Sequence, residues 1–122
     1  MQSNPSAAAA GNGTRGNVAR ARRTVDLGAV DFIPLGEGRA YAVASRTIAV
    51  FRQRDGRLFA TDNHCPHRSG PLADGIVGAG TVICPLHAWK FDLATGRCLG
   101  EAVTLQTYPV RAVNGRTVVE IP

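Results

Sequence analysis

Cys65-Pro66-His67 and Cys84-Pro85-Leu86-His87, separated by sixteen residues, decide how this chain is read. Each stretch offers one thiol and one imidazole on a short loop marked by proline, and together they make a four-donor set for a metal. Tetrahedral zinc accepts two Cys and two His, but zinc modules usually place two or more residues between the members of a ligand pair. Only Pro66 separates Cys65 from His67, and the C-x-x-H of the second pair is equally unusual for zinc. A lone cysteine is most often a small buried hydrophobe and a lone histidine a surface or hydrogen-bonded residue. Four such residues in register, with a proline after each thiol, rarely arise from packing alone.

A Rieske [2Fe-2S] centre holds one iron by two Cys and the other by two His, so each loop gives one thiolate and one imidazole. At these residues the sequence resembles the Rieske family. The resemblance implies a Rieske-type [2Fe-2S] cluster bound by Cys65, His67, Cys84 and His87, which are the cofactor and metal residues. A zinc-stabilised interaction module is the alternative from another class. Pro66 and Pro85 fix φ and remove a donor where the backbone bends around the thiols, leaving other loop N–H groups to point at sulfur. By resemblance, Gly70-Pro71-Leu72 and Asp74-Gly75 form a third side of the cluster pocket; ordinary turn chemistry explains the same residues. His64 is expected at the surface, since His67 already satisfies the motif, and Cys98 in a strand. No general acid, nucleophile or open metal position stands out, so no catalytic residue is assigned.

The 122 residues, 44% hydrophobic and 19% charged, suit one domain with a modest core. The net charge of +5 suggests nucleic acid only at first sight. Arg15, Arg20, Arg22 and Arg23 supply four of the positive charges, and from residue 24 onward ten basic side chains face nine acidic ones. No aromatic residue is interleaved with those arginines, so a nucleic-acid partner is not expected. Residues 1–22 are Ser, Asn, Ala, Gly and Arg with little to bury, and are expected to be disordered, leaving a domain at 23–122. Ala7 to Ala10 is too short for a signal-peptide core and nothing approaches a membrane span. Arg22-Arg23 hints at twin-arginine export, but Asp26, Asp31 and Glu37 interrupt the stretch that would have to be apolar. Three cysteines fit a reducing cytoplasm better than a disulfide framework.

From Thr24 the chain reads as short strands with turn punctuation. Alternation marks Thr24 to Val30, and breaks follow at Phe32-Ile33-Pro34 and Gly36-Glu37-Gly38. Strands are expected at Arg39 to Val43, Arg46 to Gln53 and Leu58 to Thr61, the last two joined by Arg54-Asp55-Gly56-Arg57. Thr81 to Ile83 runs into Cys84. Trp89 to Asp92 and Arg97 to Leu99 flank a turn with Gly96, and Thr107 to Val113 and Arg116 to Ile121 flank Asn114-Gly115. Pro109 demotes its strand to an edge or a bulge. No segment has a helical period over ten residues. The fold class is therefore all-β, with roughly nine strands. The Rieske resemblance implies stacked antiparallel sheets and a small cluster-binding subdomain.

Rieske proteins of respiratory cytochrome complexes carry two further cysteines, joined as a disulfide, where this chain has Gly70 and Leu86. They also carry a serine that bonds a cluster sulfur, where this chain has Trp89. Fewer donors to sulfur leave a cluster harder to reduce, which implies a low-potential, ferredoxin-like centre. The run Cys65-Pro66-His67-Arg68-x-Gly70-Pro71-Leu72-x-x-Gly75-Ile76-Val77, followed by Cys84-Pro85-Leu86-His87-x-Trp89-Lys90-Phe91-Asp92-Leu93-x-Thr95-Gly96 and Thr107-Tyr108-Pro109-Val110, resembles the small subunit of NAD(P)H-dependent nitrite reductase. That family works beside a large flavin and sirohaem subunit that reduces nitrite to ammonium. The resemblance thus implies an electron-transfer role in nitrate assimilation, with no catalysis by this chain alone. The ferredoxin of an aromatic-ring dioxygenase, another redox partner protein of the same fold, is the alternative.

Overall fold

The computed structural model describes residues 22–66, 70–86 and 88–122. The tail expected to be disordered lies, but for Arg22, outside the described residues. Ten strands occur among those described, all pairing antiparallel, with two short 3-10 turns and no α-helix. No helix among the described residues is long and apolar enough to cross a membrane.

The pattern at Arg46–Arg52 organises the layers. Ile48, Ala49, Val50 and Phe51 are all fully buried, a continuous apolar run where a strand with one wet face would alternate. Successive side chains of a strand point to opposite faces, so this strand, β3, has a core on each side. Ile48 and Val50 join Ile33, Val43, Ala60, Tyr108, Val119 and Ile121 in one cluster. Ala49 and Phe51 join Cys65, Leu72, Val82, Cys84, Phe91, Leu93 and Leu105 in the other.

Three sheets build those layers. β1 (Arg23–Ala29), β10 (Arg116–Ile121) and β9 (Val110–Val113) form the first, in the order β1-β10-β9. β2 (Glu37–Val43), β3, β4 (Leu58–Asp62) and β8 (Thr107–Tyr108) form the second, in that order. β5 (Ile76–Gly78), β6 (Thr81–Ile83) and β7 (Lys90–Asp92) form the third and smallest. Stacked antiparallel sheets with a small subdomain carrying the Cys84 loop agree with the expected architecture.

Four details differ from the sequence reading, each for a local reason. Gly38 lies inside β2 and not in a break, because the backbone must pass the Phe51 ring: a Cβ here would sit 2.8 Å from it. β5 was missed because only three residues pair, and Ile76 faces solvent. Arg97 to Leu99 makes bridges rather than a strand, Phe91 opposite Cys98 and Arg97 opposite Thr104. Pro109 splits the expected Thr107 to Val113 strand in two. β8 pairs with β4 and β9 with β10, so the residue that cannot donate to a ladder is where the chain changes sheets.

Gly38→Ala is expected to lower stability by about 1–3 kcal/mol, since the methyl meets a fully buried ring and the Ala73 carbonyl. Thermal denaturation followed by circular dichroism checks it, with an unchanged melting temperature as the contrary result.

Candidate functional site

Strand β4 ends at Asp62 and hands the chain to the first cysteine loop through Asn63 and His64. Asn63 is buried, and its backbone N–H, backbone carbonyl and side-chain oxygen are all bonded. Its N–H donates to the Thr47 carbonyl at 3.0 Å, its carbonyl accepts from Leu72 N–H at 2.8 Å, and its Oδ1 accepts from Ala73 N–H at 2.9 Å. The 3-10 turn Leu72–Asp74 is thereby tied to the strand end that precedes Cys65. Sequence reasoning passed over Asn63; the available signal was an amide side chain between a strand and a candidate ligand loop.

Both cysteine loops are closed by the same device. Cys65 N–H donates to the carbonyl of Gly70 at 2.9 Å, and Cys84 N–H donates to the carbonyl of Trp89 at 2.7 Å, each five residues on. The second loop is tightened further by Ala88 N–H to the Cys84 carbonyl at 3.1 Å. Ala88 takes a left-handed φ of 57° to do this, a conformation that costs a residue with a Cβ about 1–2 kcal/mol. His67 and His87 belong to these loops in sequence and lie outside the described residues.

The loops meet at Gly70. A Cβ on this residue would come 2.9 Å from Cys84 Sγ and 3.1 Å from Leu86 Cγ. One residue therefore accepts the backbone bond of Cys65 and leaves room for the sulfur of Cys84. Cys65 and Cys84 are each 1% exposed. Gly70 is buried while Pro66, Pro71, Pro85 and Leu86 are exposed, so an apolar rim surrounds two covered thiols. Leu72 and Ala73 extend the wall beneath them, and Gly75 admits no Cβ because the Ile83 carbonyl occupies that place. Gly70 thus packs against the Cys84 loop and Leu72 joins the core cluster that holds both thiols, while Gly75 packs against β6 and Asp74 is exposed in the turn.

His64 is exposed, and Cys98 is buried opposite Phe91 in the core. Trp89 is half-buried and packs on the same core. Among the described residues no three His, Cys, Asp or Glu side chains converge to hold a metal. The described part of the donor set fits an iron-sulfur cluster: two buried thiols on paired loops suit its thiolate-held half.

Below the first loop, Tyr108 O–H donates to Asp62 Oδ1 at 2.5 Å and accepts from Arg46 Nη1 at 3.1 Å. Burial, and then the Asp62 carboxylate, push the Tyr108 hydroxyl above its ordinary range. Burial likewise raises Tyr41.

An all-β frame that buries two thiols on paired, backbone-closed loops is a scaffold that suits a redox cluster. The chain belongs to the Rieske-like [2Fe-2S] domain family, which it matches over residues 24–120. It is an electron-transfer protein with a Rieske-type [2Fe-2S] cluster. It is 33% identical over 99 residues to the ferredoxin component of the naphthalene 1,2-dioxygenase/salicylate 5-hydroxylase systems of a Ralstonia species, covering 80% of this chain and 94% of that one. The ferredoxin of Sphingomonas yanoikuyae B1 is similar at 32% identity and a TM-score of 0.73, covering 82% of this chain and 100% of that one. A Mycobacterium tuberculosis chain assigned as an NADH-dependent nitrite reductase small subunit is similar at 27% identity and a TM-score of 0.78, covering 84% of this chain and 97% of that one.

Two outcomes are expected from this geometry. Gly70→Val drives a branched side chain into Cys84 Sγ and should lower bound iron per chain several-fold, as measured by metal analysis and visible absorbance; full iron content would contradict the packing. The second concerns pH. A tyrosine whose folded pKa is raised stabilises the protein below its unfolded pKa, near 10, and that contribution is lost as pH rises through the folded value. Tyr108→Phe should therefore reduce the fall in melting temperature between about pH 9 and about pH 11, with Tyr41 accounting for part of what remains.

Proposed function

We propose that this chain is the electron-transfer subunit of an NAD(P)H-dependent nitrite reductase, with Cys65, His67, Cys84 and His87 as its cluster ligands. It would work beside a large flavin- and sirohaem-containing subunit, in a cytoplasm that keeps its cysteines reduced. The overlay on the M. tuberculosis chain, at a TM-score of 0.78 over 97% of that chain, carries the reading. The run from Trp89 to Gly96 supports it. Its Asp92 carboxylate accepts from Thr95 Oγ1 and N–H at 2.7 and 3.0 Å, Phe91 and Leu93 enter the core, and Gly96 takes a φ of 82° against the Leu105 carbonyl.

A bound cluster of this kind takes up and releases one electron at a time. The chain's own residues do the rest by position. Gly70 and Trp89 fix the Cys65 and Cys84 backbones, and core packing around both thiols keeps water from them. Exposed Leu86 and the loop prolines leave only a thin layer between that site and a partner surface, as a short electron path requires.

A second reading, the ferredoxin of a ring-hydroxylating dioxygenase, is favoured by the 33% identity to the Ralstonia ferredoxin component. Reconstitution separates the two. Added to its cognate large subunit, the iron-loaded chain should raise NAD(P)H-dependent nitrite reduction at least several-fold. Cys65→Ser, His67→Ala, Cys84→Ser and His87→Ala should each abolish that effect while Cys98→Ser and His64→Ala retain it. Support of a ring-hydroxylating oxygenase with no effect on nitrite turnover would transfer the assignment to the second reading.

A further inference from the structure

Among the described residues, the smallest sheet has one face in the core and one exposed face. Register assigns the faces: Val77 pairs with Val82 and Val82 with Phe91, and Phe91 bridges to Cys98. All four pack into the core cluster. One residue along, Ile76 pairs with Ile83 and Ile83 with Lys90, while Leu99 N–H donates to the Lys90 carbonyl at 2.8 Å. Residues directly opposite one another share a face, so Ile76, Ile83, Lys90 and Leu99 form a row across the outside of the sheet. Ile76 is 70% exposed, Leu99 is 54% exposed and Ile83 is half-buried. Ile83 is bonded directly to Cys84, so the row begins one residue from a buried thiol.

Lys90 makes the row selective. It has no ion-pair partner among the described residues. The nearest acid along β7, Asp92, already holds Thr95. A single free cation in an apolar row calls for a partner surface with a carboxylate set among apolar side chains. A second copy fits badly, because a two-fold contact centred on the row would bring Lys90 toward Lys90. The size of the row also argues against a permanent dimer: four side chains cover far less than the roughly 800 Å² per partner of a stable interface. Small contacts of this kind suit transient electron-transfer encounters.

We infer that the Ile76-Ile83-Lys90-Leu99 row is a docking surface for the redox partner protein, which meets it with apolar side chains around an acidic residue. This deepens the proposed function and rests on it for the identity of the partner. Two variants test it, Ile76→Glu and Lys90→Glu, with Val113→Glu on β9 as a control at another exposed apolar position. Calorimetric binding of the iron-loaded chain to the cognate flavin- and sirohaem-containing subunit is measured together with nitrite turnover. Both variants should weaken binding about tenfold or more, with unchanged iron content and unchanged turnover at saturation, while Val113→Glu binds normally. Lys90→Gln should flatten the salt dependence of binding. Normal binding by Ile76→Glu and Lys90→Glu overturns the surface and leaves the nitrite reading standing. Absence of wild-type binding overturns the nitrite reading instead, and the same variants are then measured against a ring-hydroxylating oxygenase, where loss of binding supports the row. No wild-type binding to either protein, or self-association of the wild type that Ile76→Glu abolishes, overturns the proposal.

Discussion

The contact of Gly70 with Cys84 Sγ is the constraint on which the site depends. Two loops that follow strands of different sheets meet at this residue, and the thiol of each is buried. The backbone of Gly70 holds Cys65 by a 2.9 Å bond, and its missing side chain gives the Cys84 sulfur its place. Any side chain at this position would force the loops apart, so the same atom arrangement fixes both the distance between loops and the dryness of the pocket.

Packing beneath the loops extends that constraint into the body of the protein. Cys65 and Cys84 are members of the apolar cluster that includes Phe51 and Ala49 from the doubly buried strand β3. A shift of β3 would be felt at the thiols, because interiors are packed too densely to absorb displacement locally. Asn63 adds a directional element. Two of its three hydrogen bonds hold the Leu72–Asp74 turn against the end of β4, and the third ties that end to Thr47 of β3.

The cluster type and the all-β class were legible because both are written locally. A Cys and a His on a three- or four-residue loop, or an Asn-Gly between two alternating runs, needs no tertiary information to be recognised. The hairpin at Asn114-Gly115 and strand β6 accordingly follow the reading closely. What was not legible depends on partners distant in sequence. Gly38 looks like punctuation until Phe51 is placed beside it, β5 is too short to have a period, and Asn63 resembles any loop polar residue until its three acceptor and donor partners arrive. The choice of redox partner is harder still, since relatives serving different partners share this fold and the residues that choose among them lie on the surface.

The pairing of β1 with β10 also sets an order of events during synthesis. Arg23 lies opposite Ile121, so the first sheet joins residues almost a hundred positions apart and cannot close until β10 has been made. Pairs of such wide separation form late, because closing the intervening loop is entropically costly. The β5-β6-β7 sheet closes through neighbouring turns and needs only residues 76–92. On a ribosome, every residue of the β5-β6-β7 sheet would be present while the first sheet still lacked β10, its central strand.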